Sequence, residues 1–264
     1  MTRDTAHAAV EAAFHALGEP VRRERMEQRR LELTAQYICR VAGGFKGKRV
    51  LELGSSFGVN LVTAKRLGAS RAVGVDYFVF PDVRQNDFTV EVQAFEAVKH
   101  VWAQEGIEVR RHDLAEALPF ADGSFDLVVC NAVVEHLHGI HKQVFTEAHR
   151  VLARGGSFVF TTPNLASLLK RLRFLLGRSP LWDLADYYDQ ATNFTGHVRE
   201  FTPKECAALL RWSGFSEVRV KTAPGYFKWR WLAMPKKWHT FFIQTLSSFW
   251  PTWGDLVLAA GTKR

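Results

Sequence analysis

A short turn between an apolar strand and a helix constrains the fold of this 264-residue chain more than any other feature. The strand is predicted over residues 49–53, and Gly54, Ser55, Ser56 and Gly58 follow it. Glycines allow tight backbone geometry, and such a turn lets a ligand lie against main-chain amides at the end of a strand. The pattern therefore predicts an α/β fold with a nucleotide-like cofactor at this turn.

The chemistry around the turn separates the candidate cofactors. The dinucleotide fingerprint is Gly-x-Gly-x-x-Gly, whereas Gly54 and Gly58 stand in a Gly-x-x-x-Gly pattern. Glu52 lies just before the turn, where its charge would repel a pyrophosphate and attract a cation. We therefore expect S-adenosylmethionine (SAM), whose sulfonium and amino group are positive, rather than NAD.

Further markers come in the order expected of a parallel sheet. Asp76 ends a second short strand and suits the hydroxyls of a ribose, while Asp113 follows a third strand over residues 107–110 and suits an adenine amino group. A buried fourth strand is predicted over residues 125–131. Residues 150–160 contain a helix end, a double-glycine turn and a fifth strand.

Together these stretches resemble the class I SAM-dependent methyltransferases over about residues 45–220 and the final strand. The resemblance rests on LELGSSFG, the strand-end Asp76, HDLAEALPFADGSFDLVVCNAVVEHL and RVLARGGSFVFTTPN. It implies a Rossmann-like, doubly wound sheet of seven strands with the last strand antiparallel. It also implies a SAM site formed by these residues: Glu52, Gly54, Ser55, Ser56, Gly58, Asp76, Tyr77, Asp113, Leu114 and Asn131.

Within that set the resemblance assigns Glu52 and the turn to the methionine part of SAM. It assigns Asp76 to the ribose, Asp113 and Leu114 to the adenine, and the main chain at Asn131 to a further contact. Ser56 departs from the pattern, since many members have a glycine there, but a serine is small enough for binding to survive.

Length and composition predict one α/β domain with additions. We expect an N-terminal helical segment at residues 1–44 and a methyltransferase domain at 45–264, with insertions at about 164–200 and 221–254. Three widely spaced cysteines predict neither a disulfide framework nor a metal site. There is no N-terminal apolar signal segment and no apolar run of bilayer length. We expect a cytoplasmic location, with peripheral association to the inner membrane as an alternative.

A basic amphipathic helix is predicted over residues 164–178, with Asn164 as its N-cap and Gly177 as its stop. Six leucines share one side of it, and the basic residues lie off that stripe. A helix of this kind lies in a membrane interface or packs as a lid on the domain, and the two interpretations are compatible. The formal charge of +8 and pI of about 9.6 favour an anionic surface.

An aromatic-rich insertion precedes the last strand. Residues 221–254 hold five of the eight tryptophans, with lysines and arginines interleaved. Tryptophan beside basic residues suits the headgroup zone of a bilayer. The alternatives are a small core that caps the domain or a dimer contact, and the oligomeric state stays open.

Two histidines are candidate catalytic bases. His136 comes after the fourth strand, close to where the methyl group of SAM should point, although the Glu135-His136 pair also has a structural interpretation. His197 lies on a loop before a helix that begins at Pro203, where it should cover the acceptor pocket, and Arg199 could hold an anionic acceptor group. The histidine spacing indicates no metal site, so we expect no metal.

The residues directly after the fourth strand narrow the acceptor class. Methyltransferases of nucleic-acid bases commonly carry Asn/Asp-Pro-Pro-aromatic there, whereas residues 131–134 read Asn-Ala-Val-Val, which argues against nucleic acid. Residues 161–182 and 196–215 resemble methyltransferases of bacterial cell-surface glycan assembly and, more loosely, O-methyltransferases of ubiquinone synthesis. The leading hypothesis is O-methylation of a glycan, lipid-linked sugar or prenylated ring at the membrane surface. The alternatives are a soluble small-metabolite methyltransferase and a non-catalytic SAM-binding protein.

Overall fold

The architecture is that of a central sheet flanked by helices. A computed structural model describes residues 2–18, 27–77, 88–181, 184, 188, 196–224 and 250–264. Its helices are α1 (Arg3–Leu17), α2 (Gln28–Val41), α3 (Val59–Arg66), α4 (Phe88–Glu105), α5 (His141–Val151), α6 (Leu168–Leu175) and α7 (Pro203–Trp212). Its strands are β1 (Arg49–Leu53), β2 (Arg71–Asp76), β3 (Ile107–Arg111), β4 (Phe125–Asn131), β5 (Leu152–Pro163), β6 (Ser216–Ala223) and β7 (Leu256–Thr262).

These strands form one sheet in the order β3-β2-β1-β4-β5-β7-β6. Strands β1 to β5 run parallel, and β7 lies antiparallel between β5 and β6. The predicted doubly wound sheet with an antiparallel last strand is confirmed. The strand order reverses between β1 and β4, and open α/β sheets bind ligands in the crevice beyond the carboxyl ends at such a reversal.

Apolar side chains cover both faces of the sheet. On one face α5 and α7 share a cluster with Val128 and Cys130 of β4. On the other face α2 shares a cluster with the intervening Leu127 and Val129, and α1, α3 and α4 form an adjoining cluster. Two-sided burial explains why residues 127–130 of β4 are a continuous apolar run and do not alternate with polar residues. The two helical layers thereby fix the strand ends on which the site is built.

The N-terminal helices belong to the same core as the sheet. Phe14 of α1 lies in one buried cluster with Leu61 of α3, and Ile38 of α2 lies in another with Val129 of β4. The division between residues 1–44 and 45–264 stays a prediction.

The start of α6 differs from its prediction. The helix begins at Leu168 with Ser167 as N-cap, rather than at Asn164. The Asn164 side chain instead donates to the carbonyl oxygens of Thr252 at 2.8 Å and Gly254 at 2.6 Å. Its Oδ1 accepts from the amide of Ala166 at 2.9 Å, before the helix begins, so Asn164 closes a local turn and does not cap α6.

The double-glycine stretch also differs, since Gly155 and Gly156 fall inside β5. Strand β5 pairs with β4 on both sides of them, and the register shifts between Phe125 and Leu127. The glycines therefore accommodate an irregularity in the ladder instead of separating a helix from a strand.

Most of the aromatic insertion, residues 225–249, lies outside the described residues. Its end is described, and there Trp250 and Trp253 stack with ring centroids 5.7 Å apart. Among the described helices, none combines the length and apolar character needed to cross a membrane.

Candidate functional site

The site lies where the loops after β1 and β4 meet. Gly54 adopts a left-handed conformation with φ 72°, and a Cβ atom at this position would stand only 2.3 Å from Cγ2 of Val133. Gly58 also has positive φ (87°) and is the N-cap of α3. Any side chain at Gly54 would therefore displace the loop that leads from β4 toward the candidate catalytic residues.

The main-chain amides of the first turn are used within the protein. The amides of Gly54 and Ser55 donate to the carbonyl oxygen of Val75 at 2.8 and 3.2 Å, and the amide of Ser56 donates to Oδ2 of Asp76 at 2.8 Å. The turn is thus closed onto the end of β2. This differs from the expectation that these amides face a ligand, because the neighbouring strand supplies their acceptors.

Three carboxylates lie at the ends of the adjacent strands β1, β2 and β3. Glu52 is buried and accepts a hydrogen bond from Nδ2 of Asn60 at 2.5 Å. Asp76 is held by the first turn, and Tyr77 beside it is half exposed, with its ring under the Arg111 guanidinium. Asp113 is exposed. The sheet order therefore places three carboxylates at neighbouring strand ends, with Glu52 buried and Asp113 exposed.

The loop that carries Asp113 is anchored to the end of β2. The amide of His112 donates to the carbonyl oxygen of Asp76 at 2.9 Å, and Oδ1 of Asp113 accepts from the amide of Ala115 at 2.9 Å. Leu114 is partly buried against the core. A main-chain hydrogen bond thus joins the end of β2, which carries Asp76, to the loop that carries Asp113.

Asn131, at the end of β4, is buried and held by side chains from two elements. Its Oδ1 accepts hydrogen bonds from the hydroxyls of Thr161 and Thr34, the latter at 3.3 Å. The guanidinium of Arg30 donates to its carbonyl oxygen at 3.5 Å. Arg30 and Thr34 belong to α2, and sequence reasoning missed them because that helix precedes the motif-bearing region.

The two candidate bases meet beside the loop after β4. His136 lies in a 3₁₀ turn at Val134–His136, and His197 lies 61 positions further along the chain. Their rings pack edge to face with centroids 5.0 Å apart. The amides of Val198 and Arg199 donate to the carbonyl oxygen of Glu135, at 2.8 and 3.3 Å, which ties the two segments together.

Each of the two rings is oriented through Nδ1. Nδ1 of His136 donates to the carbonyl oxygen of Gly196 at 3.1 Å, and Nδ1 of His197 donates to Oε1 of Glu200 at 2.8 Å. A carbonyl oxygen cannot donate, so the neutral His136 ring carries its proton on Nδ1. Both imidazoles are therefore fixed in tautomer and direction.

The electrostatics around His197 weaken it as a base. Burial lowers the pKa of His197 to about 3, and repulsion from His136, Lys170 and Arg30 adds to the effect. Its partner Glu200 is buried and also forms an ion pair with Lys170 of α6. His197 is therefore neutral at physiological pH, and α6 is joined to the histidine loop by a buried charge pair.

Glu135 is buried more deeply than Glu200, the other carboxyl group beside the two histidines, with 1% of its surface exposed. Burial raises the pKa of Glu135 to about 7, and the positive Arg30 moderates the effect. The Thr162 hydroxyl lies close to this carboxyl group. Among the described residues, neither that hydroxyl nor either carboxylate oxygen of Glu135 has a hydrogen-bond partner in good geometry.

The fold assembles a cluster that the sequence spacing did not indicate. One oxygen of Glu135 and one ring nitrogen from each of His136 and His197 lie within 4.8 Å of one another. The roles of Glu200 and Lys170 were likewise missed. The His-x-x-Glu spacing of His197 and Glu200 was the one signal that could have indicated part of this network.

Comparison with known proteins agrees with this architecture. Residues 51–160 match a family described as a methyltransferase domain. A probable S-adenosylmethionine-dependent methyltransferase of Mycolicibacterium smegmatis is 33% identical over 180 residues, which cover 67% of this chain and 55% of that protein. The chain thus spans about half the length of this curated relative.

Solved structures share the fold at low sequence identity. A SAM-dependent methyltransferase from Archaeoglobus fulgidus aligns with a TM-score of 0.55 and 18% identity, over 91% of this chain and 97% of that one. Phosphoethanolamine N-methyltransferase 2 of Haemonchus contortus, solved in complex with S-adenosyl-L-methionine, aligns with a TM-score of 0.51 and 16% identity, over 88% of this chain and 52% of that one.

Proposed function

Because this chain belongs to the class I SAM-dependent methyltransferase family, we propose that it transfers a methyl group from SAM to a hydroxyl of a membrane-borne acceptor. A glycan, a lipid-linked sugar or a prenylated ring has the required chemistry. The observation that carries the membrane part is the exposed apolar end of α6, whose Lys170 is ion-paired to the loop of His197.

The residues at the switch point fit SAM. Glu52, Asp76 and Asp113 place negative charge at three neighbouring strand ends, which suits a cationic ligand and disfavours a pyrophosphate. The close approach of Val133 leaves no room for a side chain at Gly54. The turn therefore presents only backbone at Gly54, where the methionine part of SAM would approach. SAM would supply a methyl group activated by its sulfonium, and the protein would orient it and exclude water.

His136 is the better candidate to take up the acceptor proton. Its ring is exposed, and Nδ1 is held by the Gly196 carbonyl, so Nε2 of the neutral ring can accept a proton. His197 is a weaker base because burial lowers its pKa to about 3. We propose that His197 positions His136 through the edge-to-face contact and lines the acceptor pocket.

The surface of α6 supports an acceptor that arrives from a lipid phase. Phe174, Leu175 and Leu176 are 70, 80 and 75% exposed, while Arg171 and Arg178 lie among them. Apolar side chains beside cations suit an interface with anionic lipids. The amide of Leu168 donates to the carbonyl oxygen of Trp253, so the exposed Trp250 stands near the start of this helix.

The cofactor assignment is tested by calorimetric titration with SAM. Glu52→Ala and Asp76→Ala should each weaken binding by about tenfold or more, since a hydrogen bond to a charged group contributes roughly 1.5–3 kcal/mol. Asp4→Ala, which removes an exposed carboxylate from α1, is the matched control. Wild-type affinity in both site variants would remove this assignment.

The acceptor is tested with methyl-labelled SAM, the purified protein and host extract separated into lipid and aqueous fractions. Label in the organic phase would support the membrane-borne acceptor and give a species for mass analysis. Label confined to the aqueous phase would favour a soluble small-metabolite methyltransferase. Tight SAM binding without transfer in either fraction would favour the non-catalytic alternative.

A further inference from the structure

We propose that Glu135, His136 and His197 form a binding site for one divalent transition-metal ion of the zinc type. The site goes beyond the methyl transfer proposed above, because it concerns an ion that binds the protein in the absence of SAM and acceptor. It also reverses the expectation, drawn from histidine spacing alone, that the chain holds no metal.

The three ligand atoms are close to the spacing that an ion requires. They lie within 4.8 Å of one another. Zinc ligands stand about 2.0–2.2 Å from the ion and so roughly 3.3 Å apart in a tetrahedral site. An inward movement of about 1.5 Å or less closes the difference, which a change in side-chain torsion provides.

Both histidines are held as metal ligands characteristically are. A ligating imidazole usually donates its second nitrogen to a carbonyl or carboxylate, which fixes the tautomer and the ring direction. Nδ1 of His136 donates to the Gly196 carbonyl, and Nδ1 of His197 donates to Glu200. The two supports come from different residues, so the orientation of each ring is set independently, and Nε2 of each ring is the nitrogen left to bind an ion.

Glu135 supplies a buried carboxylate whose charged form a bound cation would stabilise. It is 1% exposed, and within the described part of the chain it forms no salt bridge. The cations that face it are committed elsewhere, since Arg30 pairs with Glu27 at 3.4 Å and Lys170 pairs with Glu200. A buried carboxylate is stable when it is paired or bound to a metal.

The ligand set also predicts what the ion would do. Two imidazoles and one carboxylate leave an open position, as in catalytic zinc sites. If the proposed methyl transfer holds, an acceptor hydroxyl that occupies this position would lose its proton more readily, because a bound cation lowers the pKa of its ligands. His136 and His197 would then be ligands, so the hydroxyl proton would pass to solvent water and not to His136 as in the metal-free protein.

Zinc binding to the untagged, metal-free full chain tests the site by calorimetry, with cobalt absorption as a spectroscopic readout. We expect one equivalent of zinc per chain and at least a tenfold weaker affinity in both Glu135→Gln and His136→Ala. His100→Ala, at an exposed histidine of α4, should retain wild-type affinity. A cobalt spectrum without thiolate charge transfer would show that Cys39 does not supply a ligand.

The proposal is overturned if the wild type takes up no stoichiometric zinc, or if His136→Ala binds zinc as tightly as the wild type. His136 is exposed, so this variant gives a decision even if the buried Glu135→Gln fails to fold. Since neither SAM nor an acceptor is present, loss of the metal site would leave the methyl transfer open. Conversely, Glu52→Ala should keep its zinc affinity while it loses affinity for SAM.

Discussion

At the residue scale, the backbone of the first turn decides which side chains can form the cofactor site. The amide of Ser56 holds the Asp76 carboxylate at 2.8 Å, and Gly54 lets the turn lie against Val133. These contacts fix the carboxylate and the loop after β4 relative to one another. A small change at Gly54 should therefore affect both stability and cofactor binding.

Gly54→Ala should destabilise the protein more than an alanine at another glycine of similar conformation. A left-handed conformation costs an alanine about 1–2 kcal/mol, and overpacking against Val133 adds about 1–3 kcal/mol. Urea unfolding measures the loss. Gly47→Ala is the matched control, because its φ is 74° and nothing lies within 4 Å of an added Cβ. Equal losses in the two variants would contradict the steric argument.

At the element scale, the two ends of α6 differ in burial. Leu168 at its start is buried and its amide is bonded to Trp253, whereas Leu175 and Leu176 at its end are largely exposed. The sequence predicts a helix that lies in a membrane interface, packs as a lid on the domain, or does both. The buried start packs on the domain as a lid would, and we propose that the exposed end contacts the membrane surface.

Replacing Leu175 and Leu176 together by serine should reduce binding to anionic vesicles by at least tenfold. Each buried leucine contributes about 1.5–3 kcal/mol, and 1.4 kcal/mol corresponds to tenfold. Co-sedimentation with phosphatidylglycerol vesicles measures the effect. Trp212→Ser, at an 82% exposed aromatic residue of α7, is the control for loss of any exposed apolar group. Absence of vesicle binding by the wild type would remove the membrane part of the proposal.

At the scale of the whole molecule, the N-terminal helices and the sheet share their hydrophobic clusters. Ile38 of α2 is 2% exposed and lies in one cluster with Val129 of β4. Arg30 and Thr34 of the same helix bond to Asn131 at the site. Residues 1–44 and 45–264 should therefore unfold together although the motifs lie in the second part alone.

Ile38→Ala should lower the stability of the whole protein by about 2–5 kcal/mol and leave a single unfolding transition. Far-ultraviolet circular dichroism and tryptophan fluorescence, monitored in urea, should give coincident curves. Two separated transitions in the wild type would instead show that residues 1–44 form an independent unit.

The strands could be inferred from local patterns, and the antiparallel direction of the last strand was implied by the resemblance to the methyltransferase family. Residues 127–130 of β4 form a continuous apolar run because both faces of the strand are buried there. The acids Glu52 and Asp76 stand at strand ends, where open α/β sheets bind ligands. Such signals are contained in short stretches of chain. The sheet, its antiparallel last strand and the methyltransferase resemblance could therefore be predicted from the sequence.

Only the tertiary structure brought Glu135, His136 and His197 within 4.8 Å, because the segments meet through hydrogen bonds to the Glu135 carbonyl. It also assigned Asn164 to the approach to β7 instead of a helix cap. Spacing in sequence carries no information about contacts formed across 61 positions. The sequence by itself thus determined the sheet and the strand-end acids, and the packing of distant loops decided the chemistry beside them.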